Sequence, residues 1–219
     1  MTNYYYIVAS LPAISQDWKF GDRTAQGLIN EIKGQSTAKD LALIEFVERS
    51  FDDGNLGPDF YRQALSHRNR FIREYYAFDL EIRNAKVRYL NSALGRETGR
   101  DEISLSDSTF ESREPFCKAA ELDAILHGKD ILARERNIDN LYWNMLDELT
   151  VQHYFDMDVI LAFILKLHII DRWHLLDEQT GREMFRKLVD EVRGTFKGVD
   201  YNPGTAGAPE GSPARTDNN

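Results

Sequence analysis

Apolar residues recur at intervals of three and four along most of this chain, the spacing that lines one face of a helix. The longest such stretch runs from Pro58 to Leu94. One row reads Phe71, Tyr75, Phe78, Ile82, Ala85 and Tyr89; a second reads Ile72, Tyr76, Leu80, Val87, Leu90 and Leu94. Together they form a face too broad for a two-stranded coiled-coil seam. Pro58 suits a first helical turn and Gly95 a C-terminal cap. The pattern therefore predicts one continuous helix of roughly 55 Å, at about 1.5 Å per residue.

Shorter runs predict further helices. One follows Gly21 and Asp22, with Asp22 as its cap, and stops at Gly34. The next runs from Ala38 to about Ser50, with Ser36 and Thr37 each offering a capping hydroxyl. Asp52 to Pro58 reads as a loop. Beyond Pro115, helices are expected over Phe116 to Leu126, Lys129 to about Leu149, Phe155 to Leu176 and Glu178 to Phe196. In the third of these, Val159 to Leu165 is apolar all round, as suits a helix enclosed by neighbours, and Asp156 or Asp158 can cap its start.

Three segments fall outside the helical pattern. Tyr4 to Leu11 is aromatic and β-branched and ends at Pro12, which reads as a short strand or an extended segment. Residues 95–114 are polar and read as a mobile loop or linker between possible sub-lobes 1–95 and 115–198. Residues 199–219 are rich in Gly, Pro, Ser and Asn and read as a disordered tail. The expectation is an all-α, elongated helical bundle over residues 1–198, with one long helix.

Composition narrows the function. A net charge of −9 and no dominant basic stripe speak against nucleic-acid binding, which needs clustered Lys and Arg. The lone cysteine, Cys117, leaves no intramolecular disulfide or thiolate zinc cluster, and it reads as a small core residue. The N-terminus lacks the basic region and cleavage pattern of a signal peptide. Lys166, His168 and Asp171 interrupt the most apolar run far short of the ~20 residues a membrane span needs. A cytoplasmic protein is expected, without direct membrane insertion, peripheral to the membrane only through a complex.

Candidate chemistry is sparse. The histidines at 67, 127, 153, 168 and 174 form no i, i+4 pair and no His-Glu-x-x-His. Asp52-Asp53-Gly54-Asn55 lacks the spacing of a calcium loop and reads as a turn. No phosphate-cradling or nucleophile-elbow motif occurs. Glu121, Asp123, Asp147 and Glu148 read as solvated helix faces. Asp79 and Arg83, at i, i+4, have two readings: a surface ion pair worth a few tenths of a kcal/mol, or a half-buried polar clamp to a neighbouring helix. No catalytic, cofactor-binding or metal-binding residue is assigned, and no enzymatic activity is expected.

Three segments carry a resemblance. They are Tyr4-Tyr5-Tyr6-Ile7-Val8-Ala9-Ser10-Leu11-Pro12; Arg73-Glu74-Tyr75-Tyr76-Ala77-Phe78-Asp79-Leu80-Glu81-Ile82-Arg83-Asn84; and Phe155 to Phe163 with Lys166-Leu167 and Ile170-Asp171-Arg172-Trp173. The chain resembles the short bacterial relatives of the C-type component (d-type in eukaryotes) of V/A-type rotary ATPases. Glu74, Asp79, Arg83 and Asn84 are similar to a polar helical pattern of that family. Ala162-Phe163 with Lys166 is similar to its carboxy-proximal Ala-Tyr-x-x-x-Lys helix, with Phe in place of Tyr. The chain is much shorter than a full three-lobed member of that family, which implies a missing or reduced lobe. The resemblance implies an all-helical, non-catalytic coupling subunit between the central stalk and the membrane rotor ring. Two other classes stand beside it: a helical adaptor or regulator of another cytoplasmic assembly, and a helical enzyme or small-ligand binder.

Deleting the residues after Gly198 should leave the melting midpoint within about one degree, because stability resides in buried contacts. Calorimetry checks this; a loss of several degrees would mean that the tail docks.

Overall fold

A computed structural model of the chain describes residues 4–105 and 116–175. The helix expected over 178–196, the tail from 199 and part of the 95–114 segment lie outside the described residues. Eight α-helices follow in order: α1 (Tyr4–Ser10), α2 (Ala25–Gln35), α3 (Ala38–Glu48), α4 (Pro58–Leu65), α5 (Arg70–Ala93), α6 (Ala119–Leu126), α7 (Ile131–Thr150) and α8 (Met157–Leu175). Two single-turn 3-10 helices, Arg49–Phe51 and Asp53–Asn55, join α3 to α4. The described residues contain no strand, and the fold is all-α.

Local chemistry sets most helix ends. Thr37 caps α3 in a reciprocal arrangement with Asp40, whose carboxylate reaches back to the Thr37 amide. Asp130 accepts from the amides of Leu132 (2.9 Å) and Ala133 (3.2 Å) at the start of α7. Gly95 takes φ +64° after α5, a left-handed turn that a glycine adopts without a Cβ penalty. At α2 the cap is Thr24, accepting from the Gly27 amide at 3.0 Å, and Asp22 has no such role. Thr24 stands directly before the first helical residue, where a side-chain oxygen can reach the free amides.

Two further expectations are corrected. The N-terminal segment is a helix. Its Tyr4, Ile7, Val8 and Leu11 share one face at helical spacing and pack on the main core, with Ile7 buried, while Tyr5, Tyr6 and Ala9 face outward. The second correction concerns Pro58 to Leu94, which is a helical hairpin and not one rod. The chain leaves α4 where the Ser66 hydroxyl donates to the Arg62 carbonyl (2.7 Å). It enters α5 where the Asn69 carboxamide oxygen accepts from the Ile72 amide (3.0 Å). Arg73 holds the turn by donating to the carbonyls of His67 (2.6 Å) and Arg68 (2.9 Å). Folding back buries Phe60 and Tyr61 of α4 against the Tyr75–Tyr76 side of α5, with the Phe60 and Tyr76 rings 5.0 Å apart. A straight helix would leave both stripes in water.

Helix α8 occupies the middle of the core. Ile160 to Leu165 are six consecutive buried residues, so neighbours cover it on all sides. The main core gathers residues from α1 to α5, α7 and α8; a smaller cluster of Phe78, Ile82, Leu122, Leu126, Ile138 and Leu141 joins α5, α6 and α7. Helices before and after residues 95–114 thus share both clusters. Phe71, Tyr75, Phe78 and Ile82 are all buried, whereas Leu90 and Leu94 at the end of α5 are exposed. No described helix is long and apolar enough to cross a membrane.

Asn69 caps α5 and also donates to Asp158 of α8 at 3.1 Å. Replacing it with alanine removes both bonds, and Asn69→Ala should lose about 1–2 kcal/mol of stability. Urea unfolding measures this; wild-type stability would show that the α4–α5 turn does not depend on the cap.

Candidate functional site

A cleft of about 470 Å³ opens between α5, α7, α8 and the turns at 49–56. Helix α5 contributes Tyr75, Asp79, Arg83 and Lys86 at successive turns, because residues three and four apart share a face. Helix α7 contributes Asp139 and Tyr142, and α8 contributes His168 and Arg172. A larger hollow of about 650 Å³ lies between α5 and α6, but none of the charges lining it is buried.

Asp79 organises one wall of the cleft. Its Oδ1 accepts from the Tyr142 hydroxyl at 2.7 Å, and its Oδ2 accepts from the Tyr61 hydroxyl. One carboxylate thereby ties α5 to α4 and to α7. Desolvation raises the Asp79 pKa above the ordinary carboxylate range; the two phenol hydrogen bonds, then the nearby Arg83 charge, pull it partly back. Burial and the adjacent carboxylate raise the pKa of Tyr61 and Tyr142 in turn, so both stay protonated donors at neutral pH.

Arg83 does not complete an ion pair with Asp79. Its Nη2 donates to Asp53 Oδ1 at 2.9 Å and so ties α5 to the 3-10 turn. A half-buried polar clamp between helices therefore exists, but phenols make it rather than the guanidinium. The i, i+4 spacing reveals that Asp79 and Arg83 lie on one face; it carries no information about Tyr61 and Tyr142, which are 18 and 63 residues away.

A carboxylate more deeply buried than Asp79 lies on α7. Asp139 accepts from Arg172 and from the Trp173 indole N–H, joining α7 to the end of α8. The remaining polar residues of the resemblance also meet partners. The Asn84 carboxamide makes two 3.0 Å bonds with the backbone of Ile103. Lys166 donates to Asp147 at 2.5 Å and lies over the Trp143 ring. Among the described residues Glu74 pairs locally, with Arg70 on the exposed side of α5.

The five histidines are dispersed. His67 accepts from the Asn69 amide (3.0 Å) in the α4–α5 turn, and burial lowers its pKa. His127 lies beside the Asp123 carbonyl and His174 beside that of Trp18. His153 pairs with Asp156 at 2.5 Å in the α7–α8 turn, a hydrogen bond that raises its pKa. His168 stacks on Phe51 with centroids 4.0 Å apart, and burial lowers its pKa. Among the described residues no group of three or more His, Cys, Asp or Glu is placed to hold a metal ion. Asp52 to Asn55 form a turn, with Asp52 accepting from the Gly54 amide at 2.9 Å. Cys117 is exposed, contrary to its expected core position. Its neighbour Phe116 takes the inward place, 5.4 Å from the Phe78 ring.

Residues 54–195 match the model of a family described as "Protein of unknown function (DUF2764)". Neither the curated proteins nor the solved structures contain a significant match to the chain.

Removing one phenol from Asp79 leaves a partly desolvated carboxylate with a single partner. Tyr142→Phe should therefore cost about 1–3 kcal/mol, while Arg83→Ala, whose partner Asp53 is largely exposed, should cost under about 1 kcal/mol. The pH dependence has a definite sign. Folded Asp79 holds its proton more tightly than unfolded Asp79, so its contribution to stability declines as pH rises from the ordinary carboxylate pKa through the raised one. Urea unfolding across that window, compared with Asp79→Asn, should show this decline in the wild type alone. A contribution that grows with pH would mean that the hydrogen bonds outweigh burial.

Proposed function

The chain belongs to the family described as "Protein of unknown function (DUF2764)", and we propose that it acts as a non-catalytic coupling subunit of a V/A-type rotary ATPase, linking the central stalk to the membrane rotor ring. One observation carries this reading. Four of the polar residues in the motifs that resemble the C-type family are used as ties between structural elements. Asp79 joins α5 to α4 and α7, Arg83 joins it to the 3-10 turn, Asn84 joins it to the segment at Ile103, and Lys166 joins α8 to α7. Such cross-ties resist relative motion of helices, as torque transmission requires.

Other features support it. The helical fold and the absence of a membrane-spanning helix among the described residues suit a peripheral subunit. Tyr5, Tyr6 and Phe155 form an exposed aromatic cluster, with Tyr5 centred 5.7 Å from Tyr6 and 4.7 Å from Phe155. Aromatic residues are enriched where proteins meet partners.

Tagged protein recovered from its native cell should bring down ATPase catalytic and central-stalk subunits, identified by mass spectrometry. The purified chain should neither bind nor hydrolyse ATP. Recovery of a different assembly without ATPase subunits favours a helical adaptor, and measurable nucleotide turnover contradicts both.

A further inference from the structure

The cleft beside Asp79 is lined by three cations, Arg83, Lys86 and Arg172, and by three carboxylates, Asp53, Asp79 and Asp139. Its innermost carboxylate is consumed internally: Asp139 is 2% exposed and holds Arg172 and Trp173. The Asp79 oxygens each accept one phenol. Its cations reach open space instead, with side-chain exposures of 31% for Arg83, 36% for Lys86 and 43% for Arg172. Each spends one nitrogen on a carboxylate, namely Asp53, Glu135 and Asp139. A guanidinium has five N–H donors and an ammonium three, so all three keep spare donors toward the cleft.

Tyr75 points to the same kind of occupant. It is 8% exposed, and its ring packs among Phe71, Tyr76 and Tyr142. Among the described residues its hydroxyl has no hydrogen-bond partner, yet Tyr75 lines the cleft. Among the described residues no fully buried side-chain oxygen lacks a partner, so the Tyr75 hydroxyl opens onto the cleft, where an acceptor can take its hydrogen bond. The site thus offers spare donors from three cations and one phenol, beside the exposed Asp53 carboxylate that holds Arg83, and its volume of about 470 Å³ falls in the range of small-molecule pockets.

We propose that this cleft is a binding site for a small anion, a carboxylate or phosphate group received by Arg83, Lys86 and Arg172 with the Tyr75 hydroxyl as an inner donor. Occupancy would add bonds between α5 and α8, across the cleft that the Asp79 wall borders. The site stands on its own geometry and does not depend on the coupling role.

Inorganic phosphate and succinate, titrated separately into the full chain at constant ionic strength with NMR detection, test the proposal. Saturable shifts at the amides around Tyr75, His168 and Arg172 are expected for at least one probe; phosphate alone assigns a phosphoryl ligand, succinate alone a carboxylate. Tyr75→Phe removes no internal hydrogen bond, so it should fold normally and weaken binding about tenfold. Lys86→Gln, at a more exposed position, should weaken it a few-fold. The proposal is overturned if neither probe saturates by about 20 mM, weaker than the millimolar affinity of even modest sites. It is equally overturned if both variants bind as the wild type does.

Discussion

Asp79 is the group on which the arrangement of the bundle turns. A carboxylate in the middle of a helix, partly taken out of water, is unfavourable unless its oxygens find donors. Tyr61 and Tyr142 supply them from two other helices. Those phenols must arrive together, which fixes the rotation of α4 and α7 about their own axes as well as their distance from α5. Apolar packing around Phe60, Tyr76 and Leu146 supplies bulk stability, but it tolerates sliding and repacking more readily than a two-phenol clamp does. The cost of burial remains visible in the raised pKa of Asp79. The clamp therefore specifies geometry more than it adds stability.

A good part of this is legible in the sequence. Periodicity marks α5, α7 and α8, and the all-round apolar run from Val159 to Leu165 marks the enclosed helix. Gly95 announces the end of α5, while the cap of α3 is narrowed only to Ser36 or Thr37. The misreadings have physical causes. Tyr4 to Leu11 has the composition of a strand, yet Tyr4, Ile7, Val8 and Leu11 stand at helical spacing; period outweighs β-propensity when one face has a core to meet. The break at Ser66 to Asn69 is hidden because neither Gly nor Pro marks it. Its signal is weaker, a Ser that can bond back to the preceding turn and an Asn that can cap the next. Residue type alone puts Cys117 inside, but adjacent Phe116 claims the inward position there.

The candidate site is legible only in part. Sequence spacing puts Tyr75, Asp79, Arg83 and Lys86 on one face of α5. It does not reveal that Asp139, Tyr142, His168 and Arg172 stand opposite, since that juxtaposition depends on how α7 and α8 dock. The same limit explains why spacing pairs Asp79 with Arg83, its helical neighbour, rather than with phenols from distant segments. Local rules locate partners within a helix; tertiary packing decides which of them are used.

A coupling role requires the helices around Asp79 to behave as one unit, and amide hydrogen exchange reads that property most directly. In the wild type, core amides of α4, α5 and α7 should share similar protection, because opening one helix breaks the clamp for all three. In Asp79→Ala, protection should fall in all three helices by a comparable factor. A loss confined to the turns of α5 next to residue 79, with α4 and α7 unchanged, would contradict the claim that this carboxylate binds the bundle into a single stiff body.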